Sequence, residues 1–528
     1  MGFLSLFLEI SIASFFLLSR LVVRRAPEGT ALRSRRMERI TRREALGRGA
    51  ALAGLAASGG VLSACGSGAG SDAPRVVVVG AGLAGLTCAR RLRQAGIAAT
   101  VFEAQQRVGG RCWSTRAVVP GLVGEHGGEF IDTAHRRIRA LSAELGLPLE
   151  DRLTAEDARD TRDAVVLGGR RRRAGGLPGM PAVVARLERE AGRIGSYRAG
   201  AATPAARAFD AASARDWIDA NVPGGSASTL GRAITVDLTG SFGLDPQDLS
   251  AIALIQQYTG PDAGPEERFH VRGGNDQLPR KLAAQLPEKA LRVGSGMQGL
   301  RRRAAGDYEL LLDRYRRPVR ADVVVLALPI AMLRETDLGA SGLPRAHRRM
   351  IDELRMGTNA KLLLGLRRRP ETFGGWSGDL TSDDPVLQSW DTSLGQRPEI
   401  REGLLTLFTG GAAGRELPGA PHGPAPASLV RDAVARLETV APGIGDALTG
   451  RTWLDAWAGA PWAGGSYAAF GPGQVTRHWG LMERPAGRIV IAGEHTSTRA
   501  QGYLEGAVES GERAARQVAA IVRARGTA

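Results

Sequence analysis

Residues 75–111 read RVVVVGAGLAGLTCARRLRQAGIAATVFEAQQRVGGR, and no other stretch restricts the fold as much. Val76–Val79 is an unbroken apolar run, which suits a parallel strand buried on both faces better than a strand with one wet face. It leads straight into the turn Gly80-Ala81-Gly82, with Gly85 completing a G-x-G-x-x-G. A helical stretch from Leu83 to Ala95 follows and stops at Gly96, and a second strand-like run ends at Glu103. Strand, glycine turn, helix, strand and acid, in that order, form the context that a dinucleotide fingerprint needs. Gly80 makes the tight turn, Gly82 lets the backbone approach a pyrophosphate, and Gly85 lets helix and strand pack closely. The start of the helix offers N–H groups and a positive dipole end to phosphates. Glu103 is placed to take ribose hydroxyls.

The fingerprint alone does not separate NAD from FAD. The residues after it do more. Glu103-Ala104 is followed by Arg107-Val108-Gly109-Gly110-Arg111, and this E-A-x-x-R-x-G-G-R run resembles the flavin-containing amine oxidase superfamily of monoamine, polyamine and L-amino-acid oxidases, the bacterial flavin monoamine oxidases among them. The resemblance implies FAD, with its diphosphate gripped beside the second strand by Arg107, Gly110 and Arg111. Guanidinium forks suit phosphate oxygens. The fold implied is α/β: a discontinuous Rossmann-type FAD-binding domain with an inserted α+β substrate domain.

Further segments carry the same likeness. Glu125–Asp132 (EHGGEFID) resembles the family segment whose glycine pair, here Gly127 and Gly128, lies under the isoalloxazine ring. Residues 269–279 (FHVRGGNDQLP) match another, and in the family a backbone near Met297 faces adenine. Met356–Lys361 (MGTNAK) matches the segment whose lysine holds a water against flavin N5. The chain has only three lysines, Lys281, Lys289 and Lys361, among 70 Lys and Arg residues, so a lysine at this position is a marked choice. Toward the C-terminus, Gly493 and Glu494 fall where the family turns over the pyrophosphate and ribityl. Residues 502–518 read as a helix whose N-terminus, beside Leu504, points at the flavin. Tyr467 and Tyr503 fall at the positions of the family's two-ring aromatic cage, and Trp457 at an aromatic beside the isoalloxazine. Aromatic faces of this kind steer an amine and exclude water.

Two departures from the family sharpen the reading. Animal monoamine oxidases tether FAD through a cysteine just before the first cage tyrosine; Ser466 stands here, which implies non-covalent FAD. Amino-acid oxidases carry an arginine near the glycine pair to hold the substrate carboxylate; here Gly128 is followed by Glu129 and Phe130, which favours amines. The implied reaction is FAD-dependent oxidative deamination of an amine, with dioxygen reduced to hydrogen peroxide, and Lys361, Tyr467 and Tyr503 as its catalytic residues. An L-amino-acid oxidase, a desaturase or porphyrinogen-type oxidase on the same scaffold, and a non-catalytic FAD-binding protein are the alternatives.

The formal charge of +16 rests almost wholly on arginine. Arginine runs at 170–173, 301–303 and 367–369 read as solvated turns, without the interleaved aromatics or the zinc and helix-turn-helix signatures of a nucleic-acid binder. Three cysteines form no disulfide framework and no metal-ligand spacing. Cys88 and Cys112 read as packing residues. Cys65 differs. Arg42-Arg43 precede a weakly apolar stretch, 47–62, that ends in Leu62-Ser63-Ala64-Cys65. This resembles a twin-arginine export signal closed by a lipobox, which places the protein on the outer face of the cytoplasmic membrane through a lipid on Cys65.

The expected divisions are an upstream over-extension at 1–36 with translation starting at Met37, a lipoprotein signal at 37–64 and a tether at 65–74. The FAD-binding domain takes 75–135, 268–330 and 480–525, and the substrate domain 136–267 and 331–479, the first of these pieces mainly helical. The sequence leaves the identity of the amine open, and the oligomeric state too, with a homodimer among the options.

Overall fold

The four valines that open the fingerprint bury alternately into two separate cores: Val77 and Val79 with Phe102 and Val324, Val76 and Val78 with Val101 and Val323. A strand with no wet face belongs in the middle of a parallel sheet, and Val76–Val79 lies there, paired in parallel with Ala99–Phe102 on one side and Val323–Leu326 on the other. Leu291–Arg292 extends the sheet beyond Ala99–Phe102, and Ile489–Ile491 extends it beyond Val323–Leu326. The computed structural model describes residues 73–172, 177–259, 266–417 and 419–526. The signal, the lipidation cysteine Cys65, most of the tether and the proposed over-extension lie outside them.

The helix Leu83–Gln94 packs against the long C-terminal helix Leu504–Gly526. They cross closely at Gly511, where a Cβ would sit 2.4 Å from the Ala84 carbonyl oxygen. Gly85 is required for a similar reason, because a Cβ there would lie 2.0 Å from the Gly80 oxygen. The C-terminal helix runs further than 502–518, since the apolar face set by Val508, Ala514, Ala515 and Val518 continues to Ile521 and Val522. Between residues 291 and 300 the chain turns at Gly294, whose φ is +65°. Leu291–Arg292 joins the parallel sheet, while Met297–Arg302 pairs antiparallel with Tyr308–Leu312, which pairs in turn with Val319–Ala321.

The second large element is an eight-stranded sheet in the order His422–Gly423, Leu448–Ala456, Ala360–Leu366, Gly403–Thr409, Gln388–Asp391, Trp376–Ser382, Arg162–Leu167, Arg170–Arg172. It is antiparallel except where Trp376–Ser382 runs parallel to Arg162–Leu167. The last two strands come from a region that reads as helices and loops. Arg162–Leu167 shows no period-two alternation because its valines contribute to cores on both sides. Arg170–Arg172 is not a turn but the exposed edge strand, and charged side chains on an edge discourage pairing with other chains. Helices occupy much of the remaining stretch, and Ser213 and Asp216 form a reciprocal capping box at the start of Ala214–Asn221. Among the described residues no helix is long and apolar enough to cross a membrane.

Candidate active site

Four of the parallel strands deliver residues from their carboxyl ends to one cavity of about 570 Å3: Gly80 after Val79, Glu103 after Phe102, Ala327 after Leu326, and Gly493 after Ile491 and Ala492. Ligands of open α/β sheets bind in this crevice. Gly82 lines it with φ −72° and no side-chain cap for the helix it begins. A Cβ at Gly82 would meet nothing within 4 Å, so this glycine leaves open space for a ligand rather than for protein. Glu103 is buried and its two carboxylate oxygens accept the N–H groups of Ala81 (2.8 Å) and Gln105 (2.9 Å). Burial pushes its carboxyl above the ordinary range, against those bonds and the nearby Arg107.

The two arginines of the E-A-x-x-R-x-G-G-R run part company. Arg111 lines the cavity, donating to the Ser466 carbonyl (2.6 Å) and to Glu494 (3.0 Å). Arg107 does not line it: its guanidinium donates to the Gly110 carbonyl (2.8 Å) and covers the Trp113 ring at 4.2 Å. The expected phosphate fork at Arg107 is therefore corrected to a brace that shapes the loop presenting Gly109 and Gly110. Ala81 and Gly85 also stand behind the wall, and they set the turn rather than face the ligand. Gly110, Gly127, Gly128, Met297, Trp457, Gly493, Glu494 and Leu504 all line the cavity. At Gly127 and Gly128 a Cβ would strike the Arg111 oxygen at 2.0 Å and the Leu504 side chain at 2.7 Å. That glycine pair lets three distant chain segments meet. Glu494 is their hub, accepting from Arg111, Ala468 N–H (3.2 Å) and Gly502 N–H (3.1 Å). The open space at Gly82, the uncapped helix start and the strand-end acid fit a dinucleotide, and the contiguous cavity carries it toward the tyrosines.

Lys361, Tyr467 and Tyr503 line the same cavity. Lys361 sits in the strand Ala360–Leu366, whose alternation sends Leu362, Leu364 and Leu366 into a core on the opposite face. Its ammonium donates to the carbonyls of Glu125 (3.1 Å) and Gly127 (2.8 Å) and to Glu129 Oε2 (2.7 Å). An ammonium has three protons, so these partners take all of them. Trp457 donates its indole N–H to the His126 carbonyl (2.8 Å). Tyr467 donates its hydroxyl to the Gly240 carbonyl (2.8 Å), which fixes the ring against the helix Thr229–Phe242. Tyr503 keeps 37% of its surface exposed, faces His135 at 4.9 Å, and starts the turn into the C-terminal helix. Burial raises the Tyr467 phenol well above its ordinary value; the Tyr503 phenol moves the same way through loss of solvent around it, although part of the residue stays open, and Glu267 adds to both.

Several lining residues were not singled out from the sequence as part of the site: Trp390, Phe130, Phe408 and Glu267, and Glu129 as the partner of Lys361. Trp390 donates to Glu129 Oε1 (3.0 Å) and stands edge-on to Phe130. It lies 261 positions from Glu129 in sequence, on an interior strand of the eight-stranded sheet, so no local pattern joins the two. Beneath them Glu125, fully buried, is pushed up to about 8 by loss of solvent, although Asn275 N–H and Ser114 Oγ–H donate to it. Cys88 and Cys112 are both buried thiols.

The family of flavin-containing amine oxidoreductases matches residues 83–519. The Mycobacterium tuberculosis protein AofH, which carries the name of a flavin-containing monoamine oxidase, is 29% identical over 467 residues, spanning 85% of this chain and 97% of that protein. The flavin-containing amine oxidase of Oncorhynchus mykiss is 24% identical over 468 residues, 84% of this chain and 85% of its own. Among solved structures, cyclohexylamine oxidase from Brevibacterium oxydans IH-35A superposes with a TM-score of 0.74 at 21% identity, covering 86% of this chain and all of the other. Putrescine oxidase bound to putrescine gives 0.72 at 22% identity, covering 85% and 99%. At these identities the solved structures establish a shared fold.

Proposed function

Given that the chain belongs to the flavin-containing amine oxidoreductases, and so is an FAD-dependent oxidase of CH–NH2 groups, we propose that its substrate is an amine bearing no carboxylate at the reacting carbon. One observation carries the second part. Arg111 and Lys361 are the two cations among the described residues lining the cavity, and each is already paired with a carboxylate, Glu494 and Glu129. An amino-acid substrate would bring its carboxylate to a wall where Glu267 and Glu335 add further negative charge.

FAD, when bound, takes the hydride equivalent from the α-carbon and returns the electrons to dioxygen as hydrogen peroxide; the imine then hydrolyses to aldehyde and ammonia. The chain's own residues orient and dry the site. Tyr467, fixed on the Gly240 carbonyl, and Tyr503 hold the amine between aromatic surfaces, with Trp390, Phe130 and Phe408 closing the apolar wall. Gly80, Gly82, Glu103, Gly110, Arg111, Met297, Gly493, Glu494 and Leu504 hold the cofactor. With Ser466 in place of a cysteine, its hydroxyl donating to Asn359 (2.6 Å), the cofactor is non-covalent. Free alkylamines have a pKa of about 10, like a lysine side chain, and the neutral form is the one oxidised. Neither cage phenol titrates below that value. Flavin reduction should therefore accelerate steadily from neutral to alkaline pH, and a flat profile would count against the mechanism.

The test is anaerobic flavin absorbance, titrated with an aryl-alkyl amine, a polyamine and an L-amino acid. Bleaching by either amine and not by the amino acid supports the proposal; bleaching by the amino acid alone reverses it. The location proposed is the outer face of the cytoplasmic membrane, reached by twin-arginine export and held by a lipid on Cys65. Support comes from Arg42-Arg43 and the L-S-A-C sequence. In the native host, Cys65→Ser should move the activity from the membrane to the soluble exported fraction; retention in the membrane would refute the anchor.

A further inference from the structure

Lys361 and Glu129 are 5% and 6% exposed, and their charged atoms meet at 2.7 Å on the wall of the cavity. Among the described residues Glu129 is the one carboxylate that contacts the ammonium: Glu125 offers only its carbonyl, and turns its carboxyl to Ser114 and Asn275. Both Glu129 oxygens are used, Oε2 on Lys361 and Oε1 on the indole N–H of Trp390, while Asn275 Nδ2 holds the Glu129 carbonyl at 2.7 Å. Four elements thus converge to hold one carboxylate against one lysine: the glycine-pair loop, the strands Ala360–Leu366 and Gln388–Asp391, and the turn before the helix Gln277–Ala284. A buried ammonium without a counter-ion is costly, and the counter-ion changes what field the lysine projects.

We propose that Glu129 is a positioning residue that presents Lys361 to the bound flavin as a neutral ion pair, fixing the ammonium by its third proton and cancelling its charge. The inference rests on FAD occupying the cavity, which the family membership supplies. A free lysine cation would favour the anionic reduced flavin; a paired one leaves the flavin's potential to the rest of the site. Glu129 therefore sets the driving force for amine oxidation through Lys361.

The reduction potential of bound FAD, measured with the purified holoenzyme by dye equilibration, tests this. In Glu129→Gln the charge of Lys361 is unmasked, and the potential should rise by at least about 30 mV, the two-electron equivalent of a tenfold change in equilibrium. Trp390→Phe removes only the neutral donor and should stay within that interval, which separates charge from a lost hydrogen bond. A single variant that leaves a buried charge unpaired can fail to fold, so the double variant Glu129→Gln/Lys361→Met decides independently. Removing a neutral pair should leave the potential within about 30 mV of the parent. A fall beyond that in the double variant, or an unchanged potential in folded Glu129→Gln, would mean that Lys361 acts as an uncompensated cation and would overturn the proposal. The readout is a potential and not turnover, so failure to oxidise any amine leaves it standing, whereas a parent protein without FAD removes its premise.

Discussion

Gly82 and Gly85 stand three positions apart in one motif and serve opposite ends. A methyl at Gly85 meets the Gly80 carbonyl at 2.0 Å, whereas a methyl at Gly82, where φ is −72°, meets no protein atom within 4 Å. Gly85→Ala should lower the melting temperature of the apoprotein and abolish bound flavin. Gly82→Ala should leave the apoprotein's melting temperature unchanged and weaken FAD binding alone. Flavin content and apoprotein melting, read together, check both. Glu125 yields a pH prediction. Its carboxyl is raised from 4.5 to about 8, so the folded state holds a proton that the unfolded state releases. That contribution is fully present below pH 4.5, declines as pH rises from 4.5 to about 8, and is then exhausted. Glu125→Gln should therefore lose less melting temperature than the parent across this interval; parallel curves would refute it. At this level the sequence is informative where a residue type is rare or a motif is local. Lys361 stands out because arginine has replaced nearly every other lysine. Glu129 was legible only as the residue that is not an arginine, because its partners lie 232 and 261 positions away.

Helices and strands were unevenly legible, for physical reasons. The first strand and helix announce themselves through four consecutive valines and a glycine turn. Ala214–Asn221 carries its own start signal in Ser213 and Asp216. Arg162–Leu167 and Arg170–Arg172 do not, since one strand packs apolar residues on both sides and the other is three exposed arginines. The helix Thr229–Phe242 reaches the site, where its Gly240 carbonyl receives the Tyr467 hydroxyl. Tyr467→Phe removes that tie, which is worth about 1 kcal/mol. A loss of that size in unfolding free energy is expected from denaturant titration. Flavin reduction should slow far less than in Tyr503→Ala, which deletes a ring from the substrate wall and should slow anaerobic reduction at least tenfold. Equal slowing in stopped-flow traces would mean that the hydroxyl of Tyr467, and not its ring, matters to the chemistry.

The nucleotide sheet is assembled from three stretches of chain, 76–102, 291–326 and 489–491, with the eight-stranded sheet drawn from the intervals between them. Deleting the last strand and the C-terminal helix should therefore cost all FAD binding even though every residue of the fingerprint remains. Absence of flavin absorbance in a chain ending before residue 489 checks this; a yellow truncated protein would refute it. The order of these pieces was readable because each returning segment has its own apolar run, but the register that brings Glu494 to Arg111 is a property of the closed sheet. Time during synthesis gives this arrangement a further meaning. A ribosome delivers the glycine turn long before Glu494, so a nascent chain displays half of a nucleotide site while the residues between them are made and cannot close it. The cofactor can be retained only once Glu494 and the helix after it have also been made, which makes the yellow colour of the protein a report that both halves of the site have met.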